Sequence, residues 1–255
     1  MRPRIVLIVV LGALVAAPGA RAQAWTPDVA SATAYARQRA GDVSFAVRTE
    51  GRLYGYRGRR AVPSASVVKA MLMVAYLNHR SVRGRALRAS DRALLRPMVR
   101  WSNNVAASRV RDFVGNGALT RLARRVGMRR FRPAPSWGSS SIDAVDQTRL
   151  FLKIDRYVVH RHREAALRLL NRIVPSQRWG IARATPPGWT LYFKGGWGDG
   201  DGDVDHQVAL LSRGPQRVAV AIMTTANPSH AYGKATLRGV ARRLLRELWA
   251  DSVPR

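Results

Sequence analysis

The chain contains no cysteine, which excludes disulfides, thiol nucleophiles and thiolate metal sites. Acid is scarce: 15 Asp+Glu face 44 Lys+Arg, for a net charge of +29. Glutamate is limited to Glu50, Glu164 and Glu247. Lysine is nearly as rare, confined to Lys69, Lys153, Lys194 and Lys234, so arginine supplies almost all the positive charge. Long apolar runs are missing except near the start, where residues 5–17 fall short of the ~20 needed to span a bilayer. Internal repeats and low-complexity tracts are absent as well. What remains, 255 residues of which 47% are hydrophobic, is enough to bury one sizeable core without covalent staples.

The short apolar run follows a basic start and precedes small residues. Ala20-Arg21-Ala22 and Ala22-Gln23-Ala24 both suit a signal peptidase, so residues 1–24 read as an export signal that is removed, rather than a retained anchor. Residues 25–255 are then the working domain of a secreted or cell-envelope protein. Export, together with arginines spread along the chain and few interleaved aromatics, argues against a nucleic-acid partner. The same charge predicts weak adsorption to anionic envelope polymers.

Periodicity gives an order of elements. Val29, Ala32, Ala36 and Ala40 share a helical face. The runs VSFAVRT and RLYGYRG, separated by Glu50-Gly51, read as a hairpin. An apolar helix is expected from about Ser66 to Leu77, two or three more helices over residues 90–127, and another over 144–158. WTLYFKGGW, DHQVALLSR and RVAVAIMTTA form three strands, and YGKATLRGVARRLLRELW closes the chain as an amphipathic helix. The simplest assembly is α+β: one five-stranded antiparallel sheet shared by both chain ends, flanked by terminal helices. An all-helical lobe is inserted at about residues 66–180. A cleft between the lobes is a natural site.

The stretch SASVVKAM puts Lys69 three residues after Ser66 in apolar surroundings. On a helix, i and i+3 share a face, so the Ser66 hydroxyl and the Lys69 amine can meet. Ser66 in the first turn also offers its backbone N–H toward the cleft, aided by the helix dipole. Burial disfavours an ammonium, and a neutral lysine is a base able to take the serine proton. Arginine cannot do this, which accounts for lysine in a chain that otherwise prefers arginine. Two further triplets follow in order: Ser102-Asn103-Asn104 in the helical lobe and Lys194-Gly195-Gly196 on the first C-terminal strand.

Together these resemble the Ser-x-x-Lys, Ser-Asp-Asn and Lys-Thr-Gly set of class A β-lactamases and penicillin-binding proteins. The resemblance covers most of residues 25–255 and implies a β-lactamase/transpeptidase-like fold that works as a monomer without cofactor or metal. It implies Ser66 as the acylated nucleophile and Lys69 as its proton partner. Ser102 would relay a proton to the leaving nitrogen, and Asn104 would hold the substrate amide. Lys194 would supply charge near a substrate carboxylate, and the N–H groups of Ser66 and Trp197 would form an oxyanion hole. The implied substrate is a β-lactam or a D-Ala-D-Ala-type peptidoglycan stem. A cell-wall D,D-peptidase, or a non-catalytic wall-binding module, is the alternative on the same fold.

Three departures stand out. Asn103 replaces the usual Asp, and Gly195 replaces a Thr or Ser that would bind the substrate carboxylate. The segment FRPAPSWGSS, which should carry the deacylating glutamate of class A enzymes, has no acid. Asp143 and Asp146 lie nearby but read as the cap and first turn of the next helix. His160, His162 and Glu164 read as a solvated charged turn, since i, i+2 residues do not share a helix face. GDGDGDVDH lacks the glycine and glutamate that a calcium loop needs and reads as an acidic hairpin.

Overall fold

The computed structural model describes residues 25–198 and 203–250. The reading of residues 1–24 as an export signal and the tip of the acidic hairpin at 199–202 lie outside the described residues. In chain order, α1 (Val29–Arg37) leads to β1 (Asp42–Arg48), β2 (Leu53–Tyr56) and the two-residue β3 (Val62–Pro63). A 3₁₀ turn, Ala65–Val68, runs into α2 (Lys69–Leu77), followed by α3 (Ala89–Arg100) and α4 (Asn104–Val126). Then come β4 (Ser141–Ile142), α5 (Ala144–Leu152) and α6 (Arg163–Asn171). The chain returns through β5 (Thr190–Gly198), β6 (Asp203–Arg213) and β7 (Gln216–Asn227), and ends in α7 (His230–Leu244) and α8 (Arg246–Ala250).

The sheet has the order β2-β1-β7-β6-β5, antiparallel throughout. Its two halves come from opposite ends of the chain and meet where Asp42–Arg48 pairs with Ala219–Thr225. β1 is buried through its centre on both faces, Ser44 and Ala46 as fully as Phe45 and Val47. It therefore shows no in–out alternation, as expected for a strand covered on both sides. α1 and α7 pack together, with α7 on β6 and β7, while α5 packs on β1, β6 and β7.

α2 is buried along its whole length, Lys69 included, as its all-round apolar sequence requires. α4 packs against it and breaks at Gly115, which takes a left-handed φ of 71° that suits glycine. Beyond the expected elements, β3 and β4 form a small second sheet. Ser64 reinforces it: its N–H donates to Ser140 O, and its hydroxyl meets Trp137 O and Gly138 O.

Two expectations change. The helix predicted from Ser66 starts at Lys69, because Ala65 enters with a φ of 42° and residues 65–68 tighten into a 3₁₀ turn. The turn at His160–His162 is not wholly solvated. His162 is buried, with Nε2 3.2 Å from Val82 O, so it pins the turn to the helical lobe. Among the described residues no helix is long and apolar enough to cross a membrane.

Candidate active site

β5 is one of the two edge strands of the sheet, and it lies against the 3₁₀ turn that carries Ser66. The approach depends on Gly196. A Cβ there would sit 2.8 Å from both Ser66 N and Val67 N, closer than real Cβ contacts allow, so only glycine lets strand and turn meet. A cavity of about 620 Å³ opens beside them, and Ser66, Asn104, Trp137 and Trp197 all line it.

Behind this cavity two amines converge on one hydroxyl. Lys69 Nζ is 3.2 Å from Ser102 Oγ and Lys194 Nζ is 3.0 Å from the same atom. Lys69 also donates to Ser102 O and, over 2.7 Å, to Asn104 Oδ1. Lys194 donates to Gly195 O at 2.6 Å. Both lysines are wholly inaccessible to solvent. Desolvation pushes the Lys69 amine down to about 7. Lys194 is pushed well down by desolvation and by the neighbouring Lys69 charge. A neutral amine among such neighbours can accept a proton, and the shared hydroxyl can pass one between the two sides.

Expectation and structure differ on the partner of Lys69. It shares the turn with Ser66, but its three hydrogen bonds run to Ser102 and Asn104 instead. The reason is positional: α4 starts beside it and brings three oxygens to the amine. Ser102 itself sits at a φ of 59°, a left-handed conformation that is strained for a residue with a Cβ. That twist presents both its carbonyl and its hydroxyl to Lys69. Asn103 caps α4, its Oδ1 accepting from Ala106 N at 2.8 Å, a role Asn fills as well as Asp.

The segment without an acid places an indole by the amine. Lys69 Nζ lies 4.6 Å from the Trp137 ring centre, within cation–π range, and Trp137 Nε1 reaches Ser108 Oγ at 3.1 Å. Asp143 and Asp146 serve the local structure. Asp143 caps α5 through Asp146 N, and Asp146 Oδ2 accepts from Arg129 N and Arg130 N. Burial pushes the Asp143 carboxyl up to about 6.

At the β5 end, Gly195 faces Trp179, whose ring carbons lie 3.4 Å from where a Cβ would be. An indole thus covers the place where a threonine side chain would project. Trp179 meets Trp197 edge-on at 5.9 Å and His230 at 5.6 Å. His230 Nδ1 is 2.5 Å from Asp205 Oδ1, whose side chain is fully buried. Buried His206 is held neutral, pushed down to about 4 by desolvation. Its Nδ1 accepts from Thr224 N and its Nε2 donates to Pro63 O, tying β3 to β6. Sequence reading missed Trp137, Trp179, Asp205 and His230. Trp137 had a signal, since it lies in the segment searched only for acids. The other three are brought together by distant parts of the chain.

The five-stranded antiparallel sheet with its inserted helical lobe is the β-lactamase fold. Residues 83–248 match the model of the beta-lactamase enzyme family, and the chain belongs to that family. The fold is shared with a beta-lactamase from Sphaerobacter thermophilus DSM 20745 at 23% identity, covering 86% of this chain and 96% of that one, with a TM-score of 0.72. A class A beta-lactamase from Mycobacterium abscessus superposes at a TM-score of 0.73, with 19% identity over 87% of this chain and 99% of the other. PBP-A does so at 0.72, with 16% identity over 87% and 95%. No curated protein matches the sequence.

Proposed function

We propose that the protein is a serine acyl-transfer hydrolase that forms an ester on Ser66 with β-lactam or D-Ala-D-Ala-type amides and releases it slowly. The observation that carries the reading is the convergence of two buried lysine amines on Ser102 Oγ, beside the cavity lined by Ser66. In the forward step the Ser66 oxygen attacks the amide carbon and gives up its proton to the network of Lys69 and Ser102. The C–N bond breaks, and the leaving nitrogen takes a proton back through Ser102. The N–H groups of Ser66 and Trp197 bind the developing oxyanion. Asn104, whose amide oxygen is held by Lys69, orients the substrate amide.

Hydrolysis of the ester needs an activated water. Trp137 stands by Lys69 where a carboxylate would assist, and it supplies no base. General-base assistance is worth ~10²–10⁴-fold, so its lack favours a long-lived ester. This supports a wall-directed D,D-peptidase as the second reading within the same chemistry. The protein acts as an exported monomer comprising residues 25–255 after removal of 1–24. Exposed arginines such as Arg59, Arg129, Arg130 and Arg132, grouped around one hollow, adsorb it weakly to anionic envelope polymers.

Incubation with a fluorescent penicillin, followed by denaturing electrophoresis and intact-mass spectrometry, tests the reading. One adduct on the peptide containing Ser66, absent from Ser66→Ala, is the expected result. Equal labelling of Ser66→Ala overturns it, and no labelling of either leaves a wall-binding module as the better description.

A further inference from the structure

The Ser66 cavity has little to offer an anionic substrate group. Lys194 has no solvent exposure, and its amine is occupied by Ser102 Oγ and Gly195 O. Arg60, which lines the cavity, is tied to Asp42 at 2.5 Å. The wall at the β5 end, however, has a second side. Trp197 lines the Ser66 cavity, and Trp179, packed edge-on against it, lines a separate hollow of about 400 Å³. Four cations edge that hollow: Arg183, Lys234 and Arg238, and Arg178, whose guanidinium already donates to Asn171 O and stacks on Phe193. None of its lining residues among those described is an acid.

These cations come from two elements. Arg178 and Arg183 belong to the segment between α6 and β5, whereas Lys234 and Arg238 are one helical turn apart on α7 and so share a face. Among the described residues the ion pairs lie elsewhere, as in Arg85 with Asp91 and Arg217 with Asp155. His230 completes the aromatic wall, its ring edge-on to Trp179 and anchored by Asp205. Trp179, Trp197 and His230 are each partly exposed, so a chain leaving the Ser66 cavity can lie across them. Stacking on indole and pairing with a guanidinium fork are complementary forms of recognition.

We propose that the substrate site continues over the Trp197–Trp179–His230 wall into this basic hollow, which binds an anionic end of an elongated substrate. The inference rests on the acyl-transfer reading for what sits at Ser66, and it adds the class of molecule: a chain ending in carboxylate or phosphate. Two or more anionic oxygens are favoured, since Arg183, Lys234 and Arg238 edge one hollow beside the engaged Arg178.

Titration calorimetry on the full Ser66→Ala chain, which cannot acylate, separates binding from chemistry. The probes are N-acetyl-tetraalanine with a C-terminal amide, the same peptide ending in Glu-Glu, and the same peptide ending in phosphoserine. At least one anionic probe is expected to bind about tenfold tighter than the amide, roughly one charge-assisted contact. Whichever is tighter identifies carboxylate or phosphate as the natural end group. Arg183→Ala/Arg238→Ala, two exposed positions, should erase the difference. Arg129→Ala/Arg130→Ala, which removes equal charge from a different surface, should keep it. Equal affinity for all three probes, or equal loss in both double variants, overturns the proposal. If the preference holds but wild-type protein takes no penicillin adduct, the acylation reading fails and this site stands.

Discussion

Lys69 Nζ lies 4.6 Å from the centre of the Trp137 indole, so the amine proposed to drive acylation faces an aromatic ring rather than a carboxylate. Trp137→Glu supplies a base at that point. The β-lactam adduct on Ser66 should then decay at least about tenfold faster, the low side of what a positioned general base contributes. Adduct lifetime by intact mass is the measurement, with Trp137→Gln as the uncharged control.

Lys69 also sets a pH dependence. As a base it must be neutral, so acylation should rise with pH through about 7, where burial places its amine. Stability should move the same way. The unfolded lysine binds its proton up to about 10.4, whereas the folded one releases it near 7. Between these values the unfolded state holds more protons, so stability climbs with pH. Below about 7 both states are protonated, and the burial penalty is felt in full. Lys194 is shifted in the same direction. Melting temperatures at pH 7, 8 and 9 should increase, and Lys69→Met should flatten part of the rise.

The proton relay proposed for Ser102 comes with a backbone cost. Its φ of 59° disfavours any residue with a Cβ by ~1–2 kcal/mol. Ser102→Gly should therefore be more stable than Ser102→Ala by about that amount. Both should acylate at least about 10²-fold more slowly, because the proton relay is gone. Denaturant midpoints and burst rates measured on the same samples check both halves.

Gly196 tests how close β5 must come to Ser66, the proposed nucleophile. A methyl group there meets Ser66 N and Val67 N at 2.8 Å, so Gly196→Ala should displace the turn. A shift of about 1 Å at a reacting group costs roughly 10²-fold, and acylation should fall by that order. Gly51→Ala, with nothing within 4 Å of the added carbon, should change neither rate nor melting temperature.

Much of this was legible because it is written locally. WTLYFKGGW, DHQVALLSR and RVAVAIMTTA carry apolar runs with turns between them, and they became β5, β6 and β7. Their union with the N-terminal hairpin followed from the need to give every apolar face a cover. Ser66, Lys69, Ser102 and Lys194 were legible as a set of spaced triplets, and the fold brings them to one place. The choice of Lys69 for Ser102 over Ser66 was not, since it depends on where α4 begins in space. The β3–β4 pair is two residues long on each side and leaves no periodic trace. His162 looked solvated because its neighbours are charged, yet Val82, 80 positions earlier, buries it. The indole wall joins residues from the α6–β5 segment, β5 and α7, and no local pattern encodes such a meeting.

The packing of Trp179 over Gly195 also constrains how the sequence can change. Alanine at 195 would just touch the ring, with its Cβ 3.4 Å from two indole carbons. The two further atoms of threonine need the volume the indole fills. A lineage acquiring the hydroxyl at 195 would have to shrink residue 179 first, and the reverse order would pass through an overpacked intermediate, a state that typically costs ~1–3 kcal/mol. The two positions are thus historically coupled, and directed evolution toward tighter carboxylate binding should recover substitutions at 179 before those at 195.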